Sequence, residues 1–283
     1  MAFQRPGVYV QETLNPVQPV VGPNSESVGA FVGANDRGPT TPTLVNSWSQ
    51  YVNKFGSWNY TATNDLPLAV YLFFTNGGSS AYIQRVVGSG ADVATRTLTD
   101  RAGTPLDTLQ VDSVNEGQWG NSINISIADS SATGFFDLTV YYGGTTTANV
   151  VERWTDLSMS ESAPRYAPSV INNNSNYIFV TDLQSASTGN TKNPSVISNQ
   201  SLTTGADGDT VVGSDIVTAL SSFDVITQSL ILNAPGFTDA STVNGLISYA
   251  EDREDVFVVV DGIDDTAANQ ISLADTYTCL LYT

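Results

Sequence analysis

The chain has 283 residues, 41% hydrophobic and 10% aromatic, which is enough apolar material for about two cored domains. Against 10 Lys and Arg stand 28 Asp and Glu, a formal charge of -18 that repels phosphate backbones and anionic lipid, so neither nucleic acid nor a membrane is an expected partner. Histidine is absent and Cys279 is the single cysteine, which excludes Ser/His/Asp and Cys/His catalysis, an internal disulfide and a multi-cysteine metal site.

RPGVYVQE (5–12) alternates like a strand, with Val8 and Val10 on one face and Tyr9 and Gln11 on the other; Pro6 and Gly7 precede that core and Glu12 closes it. The Pro-rich stretch TLNPVQPVVGPNSES follows as a linker, so this short strand either folds back on its own sheet or adds to an edge in another molecule. VGAFVGAN (28–35) reads as a buried strand closed by the turn DRGP. SWSQYVNKFG (47–56) reads as a helix capped by Ser47 and stopped by Gly56. DLPLAVYLFFTNGG is a second helix, with Asp65 as cap, Pro67 in the first turn and Asn76-Gly77-Gly78 at its end, and AYIQRVVG (81–88) is a strand.

Near residue 100 the pattern changes to strict alternation: Ile123, Ile125 and Ile127, then Phe136, Leu138, Val140 and Tyr142 before a Gly-Gly turn, then ANVVERW. SAPRYAPSVINNNS predicts a short helix and YIFVTDL (177–183) a strand, whereas 184–204 reads as a polar loop. Order resumes with a helix near SDIVTALSSF, a strand at SLILNAPG, a helix across STVNGLISYAEDRED and the run VFVVVDG, whose β-branched, two-sided apolar character predicts a central parallel strand. The expected fold is an α/β core with a mixed or parallel sheet, an inserted antiparallel β-rich sandwich or barrel, and an extended N-terminal arm. Its expected divisions are 1–20 for the arm and linker, 21–99 for the first part of the core, 100–184 for the insertion and 185–283 for the second part of the core.

Three stretches have the residue types of a site. Asp261, Asp264 and Asp265 follow the VFVVVDG strand, where open α/β sheets place ligands and Mg²⁺-binding carboxylates, and would serve a divalent-metal-dependent hydrolase. No nucleophile, base or Gly-rich phosphate loop accompanies them, so a solvated Asp-Gly turn is the simpler reading. GADGD, with Asp207 and Asp209, lacks the closing Glu of a calcium loop, and GSGAD (88–92) lacks the helix a dinucleotide loop needs; both read as turns. Cys279, beside Leu280 and Leu281, reads as a small buried apolar residue. No segment has the roughly 18 apolar residues that span a bilayer and no apolar leader opens the chain, so residence in the cytosol is expected. Catalytic, cofactor and metal residues are expected to be none; the Ser, Thr and Asn surface leaves a β-rich adhesin or receptor-binding module as a further alternative.

Taken in order, RPGVYVQE, VGAFVGAND, LVNSWSQYVNKFG and LAVYLFFTNGGSSAYIQRV resemble the N-terminal region of contractile tail sheath proteins of phages and related injection machines. GQWGNSINISI resembles the start of that family's insertion domain, and LTTGADGD, ILNAPG and ISYAEDREDVFVVVDG resemble its core. The resemblance implies a non-enzymatic subunit that polymerises helically with copies of itself around a tail tube protein, between baseplate and tail terminator. It is implied to be assembled in the host cytoplasm and to reside in the virion tail. It also implies that Pro6, Gly7, Val8, Tyr9, Val10, Gln11 and Glu12 form a strand donated to a neighbouring subunit. Family members continue past VFVVVDG into a C-terminal domain that contacts the tube and carries a second exchanged arm; that domain is expected to be missing here, with SLADTYTCLLYT at its start.

Overall fold

The computed structural model describes residues 28–57, 65–262 and 266–276. The expected exchange strand Pro6–Glu12, Asp264, Asp265 and Cys279 lie outside the described residues.

The first elements are β1 (Val28–Ala34), the short β2 (Thr43–Val45), α1 (Trp48–Phe55), α2 (Leu66–Thr75) and β3 (Ala81–Val86). The α1 ends are those the sequence predicts: the Gln50 N–H donates to Ser47 Oγ at 3.2 Å, and Gly56 stops the helix at φ +90°. Its buried residues Tyr51 and Phe55 stack at 5.1 Å between ring centroids. Pro67 sits in the first turn of α2 as expected, but Asp65 makes no side-chain cap. Its backbone is already helical at φ -84° and ψ -15°, whereas a capping side chain needs an extended residue to reach back to the first free N–H groups.

The β-rich part comprises β4 (Thr95–Thr99), β5 (Asp107–Ser113), β6 (Ile123–Asp129), β7 (Phe136–Tyr142), β8 (Val150–Leu157), the five-residue α3 (Ala167–Ile171), β9 (Ile178–Asp182) and β10 (Ile197–Ser201). Strands β10-β6-β7-β8 form one antiparallel sheet and β4-β5-β9 another. The alternation seen in the sequence points Ile123, Ile125, Ile127, Phe136, Leu138 and Val140 inward, where they meet Leu98, Leu109, Val111, Ile178 and Val180 of the second sheet in one core. The arrangement is two sheets sharing an interior, and among the described residues no sheet closes into a barrel. Strands β4 and β10 carry the two sheets to residues 95 and 201, on either side of the expected borders at 100 and 184. The segment 184–204 is therefore not a simple loop. Strand β10 is polar and largely exposed, with Asn199 at φ +46° and an irregular register against β6, so it carries no alternation to read.

The core then resumes with α4 (Gly213–Ala219), β11 (Leu230–Asn233), α5 (Ala240–Arg253), β12 (Val256–Val259) and α6 (Ala267–Thr276). The five-stranded sheet runs β12-β11-β1-β3-β2, parallel except for β2. One face carries Val28, Ala30, Val32, Leu230 and Leu232 against Ile216, Leu220, Phe223 and Leu246. The other carries Phe31, Val45, Ala81 and Ile83 against Tyr51, Phe55, Leu66 and Val70. The VFVVVDG run is parallel as predicted, but it is not central: β12 pairs only with β11 among the described residues and is half exposed.

Asp239 caps α5, accepting the Thr242 N–H at 2.9 Å. Hydroxyl donation from Ser241, then the Thr242 side chain and backbone, hold its carboxyl down to about 2. A folded-state value below the unfolded one stabilises the fold above the unfolded pKa, and that contribution is lost as pH falls through the folded value. The stability advantage of the native chain over Asp239→Asn is therefore expected to shrink between about pH 4 and about pH 2, read from paired thermal melts.

Candidate functional site

Two features of the core stand out. The first is the β12 side of the sheet. Helices α1 and α2 cover one face over β1, β3 and β2, as where Phe73 lies against Gly29, but not over β11 and β12. Ile231 and Phe257, paired in register, are 40% and 62% exposed, and Val259 beyond them is 43% exposed. The strand Val256–Val259 has no Lys, Pro or bulge of the kind that blunts a free edge.

The second is the junction between core and insertion. The incoming and outgoing chains run side by side: Asp92 pairs with Ala206 and Thr95 with Thr203, and the Asp209 N–H donates to the Ser89 carbonyl at 2.9 Å. They touch so closely that a Cβ on Gly88 would lie 1.8 Å from the Asp209 carbonyl oxygen, which explains a glycine there. Arg85, 2% exposed at the end of β3, donates from Nε to the Asn35 carbonyl at 2.7 Å and from its terminal nitrogens to the carbonyls of Asp36 and Gly38 at 3.2 and 3.4 Å. It also faces Glu116 of the insertion at 3.6 Å. Burial draws its pKa down, and Glu116, Asp207 and Asp36 oppose that shift.

Arg37, 5% exposed, donates to the Asn53 carbonyl and places its guanidinium 5.3 Å from the Trp119 ring centre and 4.7 Å from that of Tyr177. Trp119, Tyr142 and Tyr177 pack on one another around it. Beside them opens a cleft of about 740 Å³ lined also by Asp36, Phe55, Gln118 and Asp207. Among the described residues nothing in it pairs a nucleophile with a base; its charges and rings join core and insertion. Neither arginine was singled out from the sequence. The available signal was the composition: with so few cations, one placed inside the apolar run AYIQRVVG has to find acceptors.

The acidic candidates serve the backbone. Asp261 accepts the Gly236 N–H at 2.8 Å and the Asn233 side-chain amide at 3.2 Å, so it ties the β11–α5 turn to the end of β12. Asp207 accepts the Gln118 N–H at 2.7 Å across the junction. Among the described residues no group of three or more Asp, Glu, Cys or His is placed to hold a metal ion. Asp261→Asn is expected to lower stability by about 1–2 kcal/mol, because one of two accepting oxygens becomes a donor facing a donor. Millimolar Mg²⁺ should leave the melting temperature of both forms unchanged. A metal-dependent rise confined to the native chain would support the hydrolase alternative.

No helix among the described residues is long and apolar enough to cross a membrane. No protein-family model matches the sequence, and no curated protein matches it significantly. Among solved structures, the sheath tail protein of Listeria innocua superposes with a TM-score of 0.57 at 19% identity, over 85% of this chain and 49% of that one. The sheath tail protein of Desulfitobacterium hafniense does so with a TM-score of 0.52 at 14% identity, over 93% of this chain and 54% of that one. The chain thus spans about half the length of each, and over that span it has the fold seen in these sheath tail proteins.

Proposed function

We propose that this chain is a structural subunit of a contractile tail sheath, polymerising helically with its own copies around a tail tube and contracting to drive the tube through a host envelope. The observation that carries this reading is the fold likeness to two sheath tail proteins, which extends over core and insertion together. The clamped junction supports it: a subunit that transmits force between neighbours benefits from two units that move as one. The partners of such a subunit are the tube protein, a baseplate and a tail terminator, its place is the virion tail, and no cofactor is needed.

In this reading Pro6, Gly7, Val8, Tyr9, Val10, Gln11 and Glu12 form a strand donated to a neighbour. Each subunit gives and receives, so the contact is heterologous and open, and repetition of it generates a helical array. The linker after it lets subunits slide and rotate without losing their main-chain hydrogen bonds. Negative-stain microscopy of the full-length gene product tests the assignment: striated tubes are expected, and monomers with metal-dependent turnover would overturn it. Deleting residues 1–20 should change monomer stability by no more than about 0.5 kcal/mol while abolishing tube formation. A loss of about 2 kcal/mol or more in dilute solution would place the strand in the subunit's own core instead.

A further inference from the structure

The junction cleft, about 740 Å³, has the size of a ligand-binding cleft, about 300–1,000 Å³. Its walls are turns and element ends: Asp36 and Arg37 after β1, Gln118 and Trp119 before β6, Tyr142 at the end of β7, and Tyr177 before β9. Among the described residues no strand runs along it, so it offers no row of main-chain groups on which an extended peptide could pair. Arg37 is the one cation among the described residues of the wall. Its guanidinium donates to a single carbonyl, that of Asn53, its Nε is buried without an acceptor, and no carboxylate among the described residues forms an ion pair with it. The wall thus holds a cation short of acceptors. Burial raises the pKa of the Tyr142 phenol, Arg37 opposes that shift, and Tyr177 and Asp36 add to it, so both charges and both phenols share one space.

We propose that this cleft binds a neutral carbohydrate, an oligosaccharide of uncharged hexose or N-acetylhexosamine units. Three features select that chemistry. The first is charge. Asp36 and Asp207 line the cleft with Arg37, in a chain of net charge -18, so a phosphate or carboxylate ligand meets carboxylates and an amine meets a guanidinium. A sugar hydroxyl both donates and accepts, and serves all three. The second is the rings. Half-buried Tyr142 and Tyr177, backed by Trp119, have centroids 5.6 to 6.5 Å apart. They present flat apolar surface with polar tips, which matches a pyranose with one C–H face and a rim of hydroxyls. The third is preorganisation. Asp207 accepts the Gln118 N–H at 2.7 Å and Trp119 Nε1 donates to the Glu116 carbonyl at 3.0 Å, so the wall is set before a ligand arrives. The exposed Gln118 side chain adds an amide at the rim. This goes beyond the sheath reading and does not depend on it, since binding is a property of the single chain.

The test is a printed array of neutral, sulfated and sialylated oligosaccharides probed with the intact chain, followed by titration of the strongest neutral ligand in solution. Trp119 lies in the wall, so tryptophan fluorescence reads the titration. A Kd below about 1 mM is expected for at least one neutral oligosaccharide. Sulfated or sialylated forms of that ligand should bind at least about tenfold more weakly. Gln118→Ala removes an exposed side chain and keeps the main-chain N–H on Asp207, so it should weaken binding at least about threefold with an unchanged melting temperature. Tyr177→Ala should weaken it at least about tenfold, and Tyr177→Phe, which keeps the ring, by less. Where Tyr177→Ala fails to fold, Gln118→Ala and Tyr177→Phe decide. The proposal is overturned if no neutral oligosaccharide binds below about 1 mM, if the charged forms bind more tightly, or if Gln118→Ala binds as well as the native chain. Absence of any bound sugar together with self-association that Tyr177→Ala abolishes in sedimentation would assign the cleft to a second copy, which also overturns it.

Discussion

Replacing Arg85 by methionine is expected to destabilise the protein by about 3–5 kcal/mol, the scale for removing one partner of a buried ionic cluster. The side chain is 2% exposed and supplies donors to three carbonyls within residues 35–38, besides its approach to Glu116. Methionine fills a similar volume but offers those carbonyls, held by the turn after β1, no donor in place of the guanidinium. Lysine keeps the charge yet offers one ammonium to acceptors spread around a planar fork, so Arg85→Lys should recover less than half of the loss. Urea unfolding reads both values. A cost under about 1 kcal/mol for Arg85→Met would mean that water takes over the carbonyls and that the cluster does not hold the junction.

Phe136→Ala is the second large effect, at about 3–5 kcal/mol. Phe136 is fully buried at the start of β7, paired with Asp129 on one side and Leu157 on the other, inside the core shared by the two insertion sheets. The core cluster beneath α4 and α5 does not include it. If insertion and core unfold as separate units, calorimetry of the variant should show one transition lowered and the other unmoved. If the junction couples them fully, a single transition should shift as a whole.

What the sequence made legible is what local physics controls. Ser47 and Gly56 bracket α1 because capping is a matter of a few neighbouring atoms, and Ile123, Ile125 and Ile127 point inward because a strand with one wet face must alternate. Strand β10 escaped notice because an edge strand that buries little has no period, and Asp65 misled because residue preference does not fix backbone angles. VFVVV read as central because composition reports how much of a strand wants covering, not which neighbour covers it. The candidate site was legible least. Arg37 meets Trp119 and Tyr177, and Arg85 meets Glu116, across separations in sequence that no spacing rule spans; the GADGD motif proved to be a joint between chain segments, with Asp207 bound to the Gln118 N–H.

The contact of Gly88 with Asp209 makes the whole insertion, from the core's point of view, a single long loop with its ends already joined. The core loses no strand of its sheet if everything between Ser89 and Gly208 is replaced by a tight turn, since β3 and α4 stay where they are. Length and outward shape can therefore change at that point without disturbing the register of β1, β3 and β11, so one core geometry can carry appendages of very different size.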